Sequence, residues 1–503
     1  MDALDGLLTG LQVAVAPENI LFVFLGVLAG TVIGMLPGLG PISAIAIMIP
    51  ISYQMSPASA LIMMAGVYYG AIFGGSTSSI LLNAPGVAGT VATSFDGYPM
   101  AQRGEAGKAL AVAAICSFAG GTIGVVLLMM VAPLMADFAV SFGPTEYFAL
   151  MLMGLTAIAS LSDGSTVKAL IAGVAGLMLA TVGVDGQTGT QRFMFGSTHL
   201  ADGIDFLVIA LGVFALAEVV FLILARHEKF AHKKSIGSLR LNKKEVKQLG
   251  GPVTRHSLFG FVVGVLPGAG ATIASFLSYL TEKRLAKDPS QFGKGDIRGV
   301  AAPETANNAA CSGAFVPLLT LGIPGSGTTA VLLGALLVFG IQPGPLLYEQ
   351  HPDIFWGVIA SMYVGNIFLL ILNLPLIPYF ARILLIPRPM LIALIIIFCF
   401  IGVFGVNFNT FDLFLLLALG VVGFLMRMFE FPAPPFILAF ILGGMMEQSL
   451  RQALTISNGD WSVFVTSPIA LVLFVLTVLS LLFPYLRQWV VRRLGGNGEQ
   501  ASV

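Results

Sequence analysis

The side chains best placed for chemistry in this chain are uncharged. Two runs of hydroxyls and amides stand out, Gly74-Gly75-Ser76-Thr77-Ser78-Ser79 leading to Asn83-Ala84-Pro85-Gly86, and Asn307-Asn308 leading to Thr320-Leu321-Gly322-Ile323-Pro324-Gly325-Ser326-Gly327-Thr328-Thr329. Each ends at a Pro-Gly break inside an apolar segment. A further pair of breaks repeats one heptapeptide pattern, Gly34-Met35-Leu36-Pro37-Gly38-Leu39-Gly40 and Gly264-Val265-Leu266-Pro267-Gly268-Ala269-Gly270. Proline removes a backbone donor and clashes with the preceding turn, and glycine permits angles that other residues avoid. In hydrocarbon such breaks persist only where protein covers them or where they line a wet cavity. A half-helix that starts at a break presents free N–H groups and the positive end of its dipole, which hold a carboxylate without a buried lysine. The same unwinding frees carbonyls that coordinate sodium.

The expected substrate-binding residues are therefore Pro37, Gly38, Gly40, Ser76, Thr77, Ser78, Asn83, Pro85, Gly86, Pro267, Gly268, Gly270, Asn307, Asn308, Thr320, Pro324, Gly325, Ser326, Gly327 and Thr328. Asn83, Asn307, Asn308, Ser326 and Thr328 are the foremost individual candidates, and sodium ligands are expected among carbonyls near Gly38, Gly86, Gly268 and Gly325. Helix–helix hydrogen bonding accounts for a lone hydroxyl equally well, at about 0.6 kcal/mol each. Packing does not call for paired breaks. Of the charged residues in apolar surroundings, Glu146, Asp163, Lys168 and Asp185 border turns, while Asp205, Glu218 and Asp412 qualify as functional candidates. Glu304, after Pro303, is expected to cap a following helix or to neighbour the site.

Other chemistries find little support. Cys116, Cys311 and Cys399 are far apart and read as structural thiols, and the scattered histidines form no metal-ligand pair. An intramembrane hydrolase needs a base such as His199 or His351 beside a nucleophile, and no spacing pairs them. No phosphate-binding loop of the Gly-x-x-x-x-Gly-Lys-Ser/Thr kind occurs. No enzymatic activity, cofactor or catalytic residue is expected.

The elements that carry these breaks are membrane helices. With 57% hydrophobic and 10% charged residues and a mean hydropathy of +0.93, the chain has too little charge for a soluble surface. Apolar stretches long enough for the bilayer recur at 107–135, 146–160, 168–184, 204–224, 354–379, 391–406, 412–426 and 467–485. An all-α polytopic protein with about 10–12 transmembrane helices follows. The balance of 25 basic and 25 acidic residues gives no sign of a nucleic-acid partner. Residues 1–20 lack a basic n-region, so no cleaved leader is expected. Trp356, Trp461 and Trp489 are expected at the membrane interfaces.

Charge also orients the chain. Residues 226–255 carry nine Lys and Arg and read as a cytoplasmic loop, and a second basic cluster from Lys283 to Arg298 follows one apolar segment later. Both clusters lie inside only if 257–280, broken at Pro267, is a re-entrant hairpin. The matching segment 21–53 follows an acidic start and faces the other side. Leu82-Asn83-Ala84-Pro85-Gly86 resembles Leu321-Gly322-Ile323-Pro324-Gly325, and Ala210-Leu211-Gly212-Val213 recurs as Ala418-Leu419-Gly420-Val421. The expected organisation is a first membrane repeat at 1–225, a cytoplasmic basic loop at 226–255, a second, inverted repeat at 256–430, and C-terminal helices with a short tail at 431–503. Segment 431–448, with Pro432, Pro434 and Pro435, reads equally as spanning or re-entrant, although Arg487, Arg492 and Arg493 favour an inside tail.

The paired Gly-x-Leu-Pro-Gly-x-Gly breaks, the Asn83-Ala84-Pro85-Gly86 run, the Ala302-Pro303-Glu304-Thr305-Ala306-Asn307-Asn308-Ala309 string and Gly322-Ile323-Pro324-Gly325 resemble the large membrane subunit of tripartite tricarboxylate transporters over essentially the whole chain. The resemblance implies a permease of the bacterial inner membrane. It further implies a small four-helix membrane subunit and a periplasmic solute-binding protein as partners, a citrate-like di- or tricarboxylate as substrate, and a gradient of Na+ or H+ as the energy source. An elevator-type movement is the expected mechanism, in which hairpins and broken helices carry substrate past a scaffold of unbroken helices. The alternative reading is a passive anion channel, since broken helices also build selectivity filters.

Overall fold

A computed structural model describes residues 3–36, 39–161, 165–224, 236–380, 382 and 388–494, with the backbone alone at 3–4, 161, 388, 406–407 and 483–494. Pro37, Gly38, Asp163 and residues 226–235 of the basic loop lie outside the described residues. The first half runs α1 (Ala3–Ala14), α2 (Pro17–Met35), α3 (Pro41–Ser52), α4 (Pro57–Leu82), α5 (Val91–Gln102), α6 (Ala106–Ala139), α7 (Pro144–Leu161) and α8 (Thr166–Ala180). A small hairpin, β1 (Gly183–Val184) and β2 (Gln191–Arg192), precedes α9 (Phe206–Ala210) and α10 (Ala217–Leu224), which a π-helical turn at Leu211–Leu216 joins into one span. The second half runs α11 (Lys243–Val265), α12 (Gly270–Leu285), α13 (Ile297–Leu321), α14 (Gly327–Val338), α15 (Pro345–Gln350), α16 (Pro352–Asn373), α17 (Ile377–Phe380), α18 (Arg388–Asn407), α19 (Thr410–Met428), α20 (Ala433–Ile456), α21 (Val463–Thr466) and α22 (Pro468–Leu494). Seven of the described helices are long and apolar enough to cross a membrane, and shorter apolar helices such as α3 and α14 supply half-spans. The protein is an all-α polytopic membrane protein.

Both breaks of each half are real. α2 ends at Met35 and α3 begins at Pro41; α11 ends at Val265 and α12 begins at Gly270. Each pair returns to the face it left. α3 leads at once into α4, where Ser59 donates to Asn19 at the start of α2 at 2.6 Å. In the second hairpin Arg255 and His256 of α11 meet Glu282 of α12 at 2.7 and 3.0 Å. α4 and α13 then cross the core in opposite directions, with Tyr68 against Phe315 at one level and Ser76 against Glu304 at another. The hairpin bases therefore lie on opposite faces.

The close approaches repeat residue for residue. A Cβ on Gly30 or Gly34 would strike the Val67 or Ala71 carbonyl, and one on Gly260 or Gly264 the Ala306 or Ala310 carbonyl. Gly74 faces the Thr31 carbonyl as Gly313 faces that of Phe261. Asn83 and Gly322, the residues that end α4 and α13, both adopt the left-handed conformation, at φ 53° and 70°. Without a driving force from water, such backbone-to-backbone contact is how membrane helices gain packing energy.

One face gathers the basic residues. Lys108 pairs with Glu245 at 3.1 Å, Arg103 donates to the Gly295 carbonyl at 2.9 Å, and Asp96 accepts from the backbone N–H groups of Gly293, Gly295 and Asp296. α20 starts on this face, beside the end of α19, and finishes on the other, where Arg451 pairs with Asp185 next to β2 at 2.7 Å. So 431–448 spans, its prolines sit at the helix start where a missing N–H costs nothing, and α22 runs back to the basic face.

The Ala-Leu-Gly-Val match does not follow the inverted relation. Gly212 meets Leu419, Gly420 meets Leu216, and Gly423 meets Val213 and Ala217, so α9–α10 and α19 run in the same direction. By direction and packing, α8 with α19, and α9–α10 with α20, form the corresponding pairs. A four-residue string of small and apolar residues is too common in membrane helices to fix a register. Trp356, near the start of α16, is fully buried against Gly6 and Gly10 of α1, whereas Trp461 is exposed.

The hairpin β1–β2 is pinned by charge. Asp185 accepts from the backbone of Gln187 and Thr188 and pairs with Arg451 and Arg192, which holds its carboxyl well below the usual range. A depressed folded pKa stabilises above the unfolded value and is lost only as pH falls through the folded one. Amide exchange in 183–192 is thus expected to stay slow from neutral pH through the range where free carboxylates protonate. Asp185→Asn should make it fast at every pH; equal protection in that variant would show that the ion pairs do not hold the hairpin.

Candidate functional site

All four breaks meet in one cavity of about 870 Å³. Its lining takes in Gly40-Pro41-Ile42-Ser43 at the start of α3, Gly86-Val87-Ala88-Gly89 before α5, Gly268 to Ile273 at the start of α12, and Ser326-Gly327-Thr328 at the start of α14. The breaks brace one another: the Gly268 N–H donates to the Gly325 carbonyl at 2.9 Å, and Gly86 lies so near the Gly34 carbonyl that no Cβ fits. Three helices of 12, 16 and 12 residues, α3, α12 and α14, thus point their N-terminal N–H groups and positive dipole ends into the same space. Ser326 and Thr329 close a capping box at the head of α14.

The opposite wall comes from α7, the π turn, α10, α19 and the start of α20, with Ile158, Val213, Phe214, Ala217, Glu218, Gly423, Arg427 and Glu430 to Pro434. These residues belong to the basic-face half of their helices, so the cavity opens toward that face. The Arg427 guanidinium carbon lies over the Phe221 ring, 3.8 Å from its centre, and the side chain hydrogen-bonds to Glu218. The Arg427 side chain is 43% exposed and that of Glu218 7%, and the second Glu218 oxygen is buried without a partner. A guanidinium held by one carboxylate at the edge of a cavity retains donors for another.

Of the residues anticipated for the site, Gly40, Gly86, Gly268, Gly270, Ser326, Gly327 and Thr328 line the cavity. Pro37 and Gly38 lie outside the described residues, and the others surround the cavity without lining it. Asn83 is exposed as the left-handed end of α4, and Pro85, Pro267, Pro324 and Gly325 shape the breaks without reaching the lining. Ser78 and Thr320 return hydrogen bonds to their own helices, to Gly75 and Val316. Thr77 sits beside Ser76 in the wall of a small inner void. Asn308 donates to Asn307, and Asn307 donates at 3.1 Å to the carbonyl of Gly89, a lining residue.

Glu304 is not a cap. α13 begins at Ile297 with Asp296 as its capping residue, and Pro303 lies inside the helix. Glu304 is fully buried and accepts from Ser76, Thr93 and Ser117. Arg427 and the Phe431 to Pro434 turn went unremarked as site residues in the sequence. Charge within an apolar segment is the signal that marks Arg427 and Glu218, but nothing in their spacing places them together. The three cysteines are buried free thiols. Among the described residues, neither His199, which stacks on Phe411, nor His351 bonds a hydroxyl or thiol, and no cluster of three metal-ligating side chains occurs.

These features define a multi-pass helical membrane protein that encloses a polar cavity between paired helix breaks and unbroken helices. Residues 20–438 match the tripartite tricarboxylate transporter TctA family, and the chain belongs to that family. It is therefore a transport protein, a subunit of a tripartite transporter that works with partner subunits. The chain is 46% identical over 93% of its length to an uncharacterized 52.8 kDa protein in the TAR-I ttuC' 3'region of Agrobacterium vitis, covering 94% of that protein. It is 48% identical to an uncharacterized protein in the TAR-II ttuC' 3'region of the same organism, over 42% of this chain and 87% of that one. No solved structure matches.

Proposed function

We propose that the chain is the permease subunit that carries a citrate-like di- or tricarboxylate across the bacterial inner membrane. The convergence of four helix breaks and a guanidinium on one cavity supports this reading: three dipole ends and Arg427 suit a multivalent carboxylate better than any neutral solute. A periplasmic solute-binding protein delivers the substrate and a small four-helix subunit completes the membrane complex. A gradient of sodium or protons supplies the energy, with the carbonyls around Gly86, Gly268 and Gly325 as candidate sodium ligands.

The two hairpins, α4, α5, α13 and α14 move as one substrate-holding unit against α7 to α10 and α18 to α22, in the manner of an elevator. The cavity opens toward the basic face, which in this reading is the cytoplasmic one, as a carrier's site does at the moment of release. Reconstituted with both partners, the protein is expected to accumulate labelled citrate when an inward sodium or proton gradient is applied and to show saturation. Downhill flux that ignores every ion gradient would instead mark a channel. Bridging Thr272→Cys on α12 to Ala217→Cys on α10 with a bifunctional thiol reagent should arrest uptake, and undiminished flux in the bridged protein would rule out the moving unit.

A further inference from the structure

We propose that Glu304 is the site at which the transporter takes up and releases a coupling proton. The inference deepens the reading of the chain as an ion-coupled carrier and rests on it. Glu304 sits two turns into α13, wholly removed from solvent, and its carboxylate collects hydroxyl donors from three helices of the other half: Ser76 of α4 at 2.7 Å, Thr93 of α5, and Ser117 of α6 at 2.8 Å.

No cation among the described residues is paired with it. Among the described residues, the ionisable groups on the surrounding elements are engaged elsewhere. Asp96 of α5 is held by Tyr279 of α12 and by backbone N–H groups, Glu282 of α12 by Arg255 and His256 of α11, Lys108 of α6 by Glu245, and Arg298 by Asp296 at the start of α13. Cys116 on α6 and Tyr68 and Tyr69 on α4 are buried and bring no positive charge, and α16 contributes the buried amides Asn366 and Asn373. None of these groups is ion-paired or hydrogen-bonded to Glu304. A lone buried carboxylate in hydrocarbon is costly to keep charged, which makes an ionisable residue inside the membrane a functional candidate.

The surroundings accept the proton without leaving a donor stranded. As a carboxylate, Glu304 uses both oxygens as acceptors. Once a proton binds Oε2, that oxygen becomes a donor and needs an acceptor of its own. Ser76 provides one, because its hydroxyl also lies 3.4 Å from the Ile72 carbonyl and can turn its hydrogen there, leaving Oγ free to accept from Glu304. Beside it is a void of about 10 Å³ lined by Ser76, Ser117 and Asn373, and the buried Asn373 Oδ1 has no hydrogen-bond partner. The void has about the size of one water molecule, so a proton has a polar step to the carboxyl from outside the substrate cavity.

The link to substrate is short. Thr93 stands in the first turn of α5, immediately after the break whose residues Gly86 to Gly89 line the cavity. Asn307, one turn along α13 from Glu304, donates to the Gly89 carbonyl. Loss of the negative charge at Glu304 weakens its hold on Thr93, which donates to Oε1, and on Asn307, whose side chain also meets the carboxylate, and so acts on both residues that seat this break. Protonation and the shape of the site are joined through two side chains, Thr93 and Asn307.

The test uses the full complex with its binding protein and small subunit, in proteoliposomes, with labelled citrate as probe. Infrared difference spectra are expected to show a carboxyl C=O band that grows on acidification and is missing in Glu304→Gln. Ser76→Ala, which removes one donor to the anion, should move the midpoint of that band to higher pH. A pH gradient of one unit coupled to one proton supports about a tenfold citrate gradient. Glu304→Gln is expected to lose that accumulation entirely, while citrate exchange without a gradient persists and no longer depends on pH, since the amide cannot titrate.

A band that survives in Glu304→Gln, or a midpoint indifferent to Ser76→Ala, overturns the proposal. So does a native protein that follows sodium and ignores pH. Loss of accumulation and exchange together, with no titrating band, makes Glu304 a tie between helices and nothing more. If the native complex carries no citrate at all, the carboxylate reading of the cavity fails, while the infrared measurements still decide the role of Glu304.

Discussion

Arg427→Met is expected to lower the apparent affinity for citrate by about 10- to 100-fold while leaving a folded protein of reduced stability. The affinity estimate follows from one charge-assisted hydrogen-bonded contact to a carboxylate, worth about 1.5–3 kcal/mol. The stability estimate follows from Glu218, which would keep a buried charge with no partner, a loss of about 3–5 kcal/mol. Methionine retains the apolar contact over Phe221, so packing is little changed. The double variant Arg427→Met with Glu218→Gln separates the two effects. It should recover most of the thermal stability, because no charge is then stranded, and none of the affinity. A double variant with native KM would show that Arg427 serves only to neutralise Glu218.

The glycines at the hairpins give the second large effect, and they divide by what a side chain would meet. Gly264→Leu and Gly34→Leu are expected to cost more than about 4 kcal/mol, enough to lose the folded protein. A Cβ at either position runs into a backbone carbonyl of the neighbouring helix, Ala310 or Ala71, and backbone cannot yield as a side-chain tip does. Gly40→Leu should behave differently. Its φ of −79° suits any residue and no atom lies within 4 Å of the added Cβ, yet the position lines the cavity. That variant should be recovered as a monodisperse protein with a near-native melting temperature and almost no uptake. Native yield of Gly264→Leu would mean that α11 and α13 part without penalty, contrary to their packing.

The same contacts revise an expectation about Gly86 and Gly325. Their breaks border the ligand, so a bulky residue at either position is expected from the sequence to abolish binding and spare folding. In the structure a Cβ on Gly86 meets the Gly34 carbonyl, and one on Gly325 lies 2.9 Å from the Gly264 carbonyl, so both substitutions strain the hairpin against the break before they touch substrate. Gly40, Gly268 and Gly327 line the same cavity as Gly86. Of these Gly40 alone is both conformationally ordinary and unobstructed, since Gly268 has φ +85° and Gly327 faces Pro434.

Much of this protein is written in local sequence. Apolar length and scarce charge determine helices in a membrane, because hydrocarbon leaves the backbone no other partner. Proline with glycine determines where those helices break, and the placement of lysine and arginine determines which face the chain starts from, so the opposed hairpins could be read before any contact was known. Fine register could not. Ala210-Leu211-Gly212-Val213 and Ala418-Leu419-Gly420-Val421 look alike because small residues serve any close helix pair, and only the contacts of Gly212 and Gly423 reveal that the two helices run the same way.

The tertiary structure alone decided which polar groups face the cavity and which face each other. Asn83, an inviting binding residue beside a break, turned out to be exposed at a helix end, while Glu304 and Arg427 acquired their partners from residues 228 and 209 positions away. A hydroxyl or a carboxylate is the same side chain whether it bonds a ligand or a neighbouring helix. Its partner is set by how helices distant in sequence come to lie side by side, and that is a property of the whole packing.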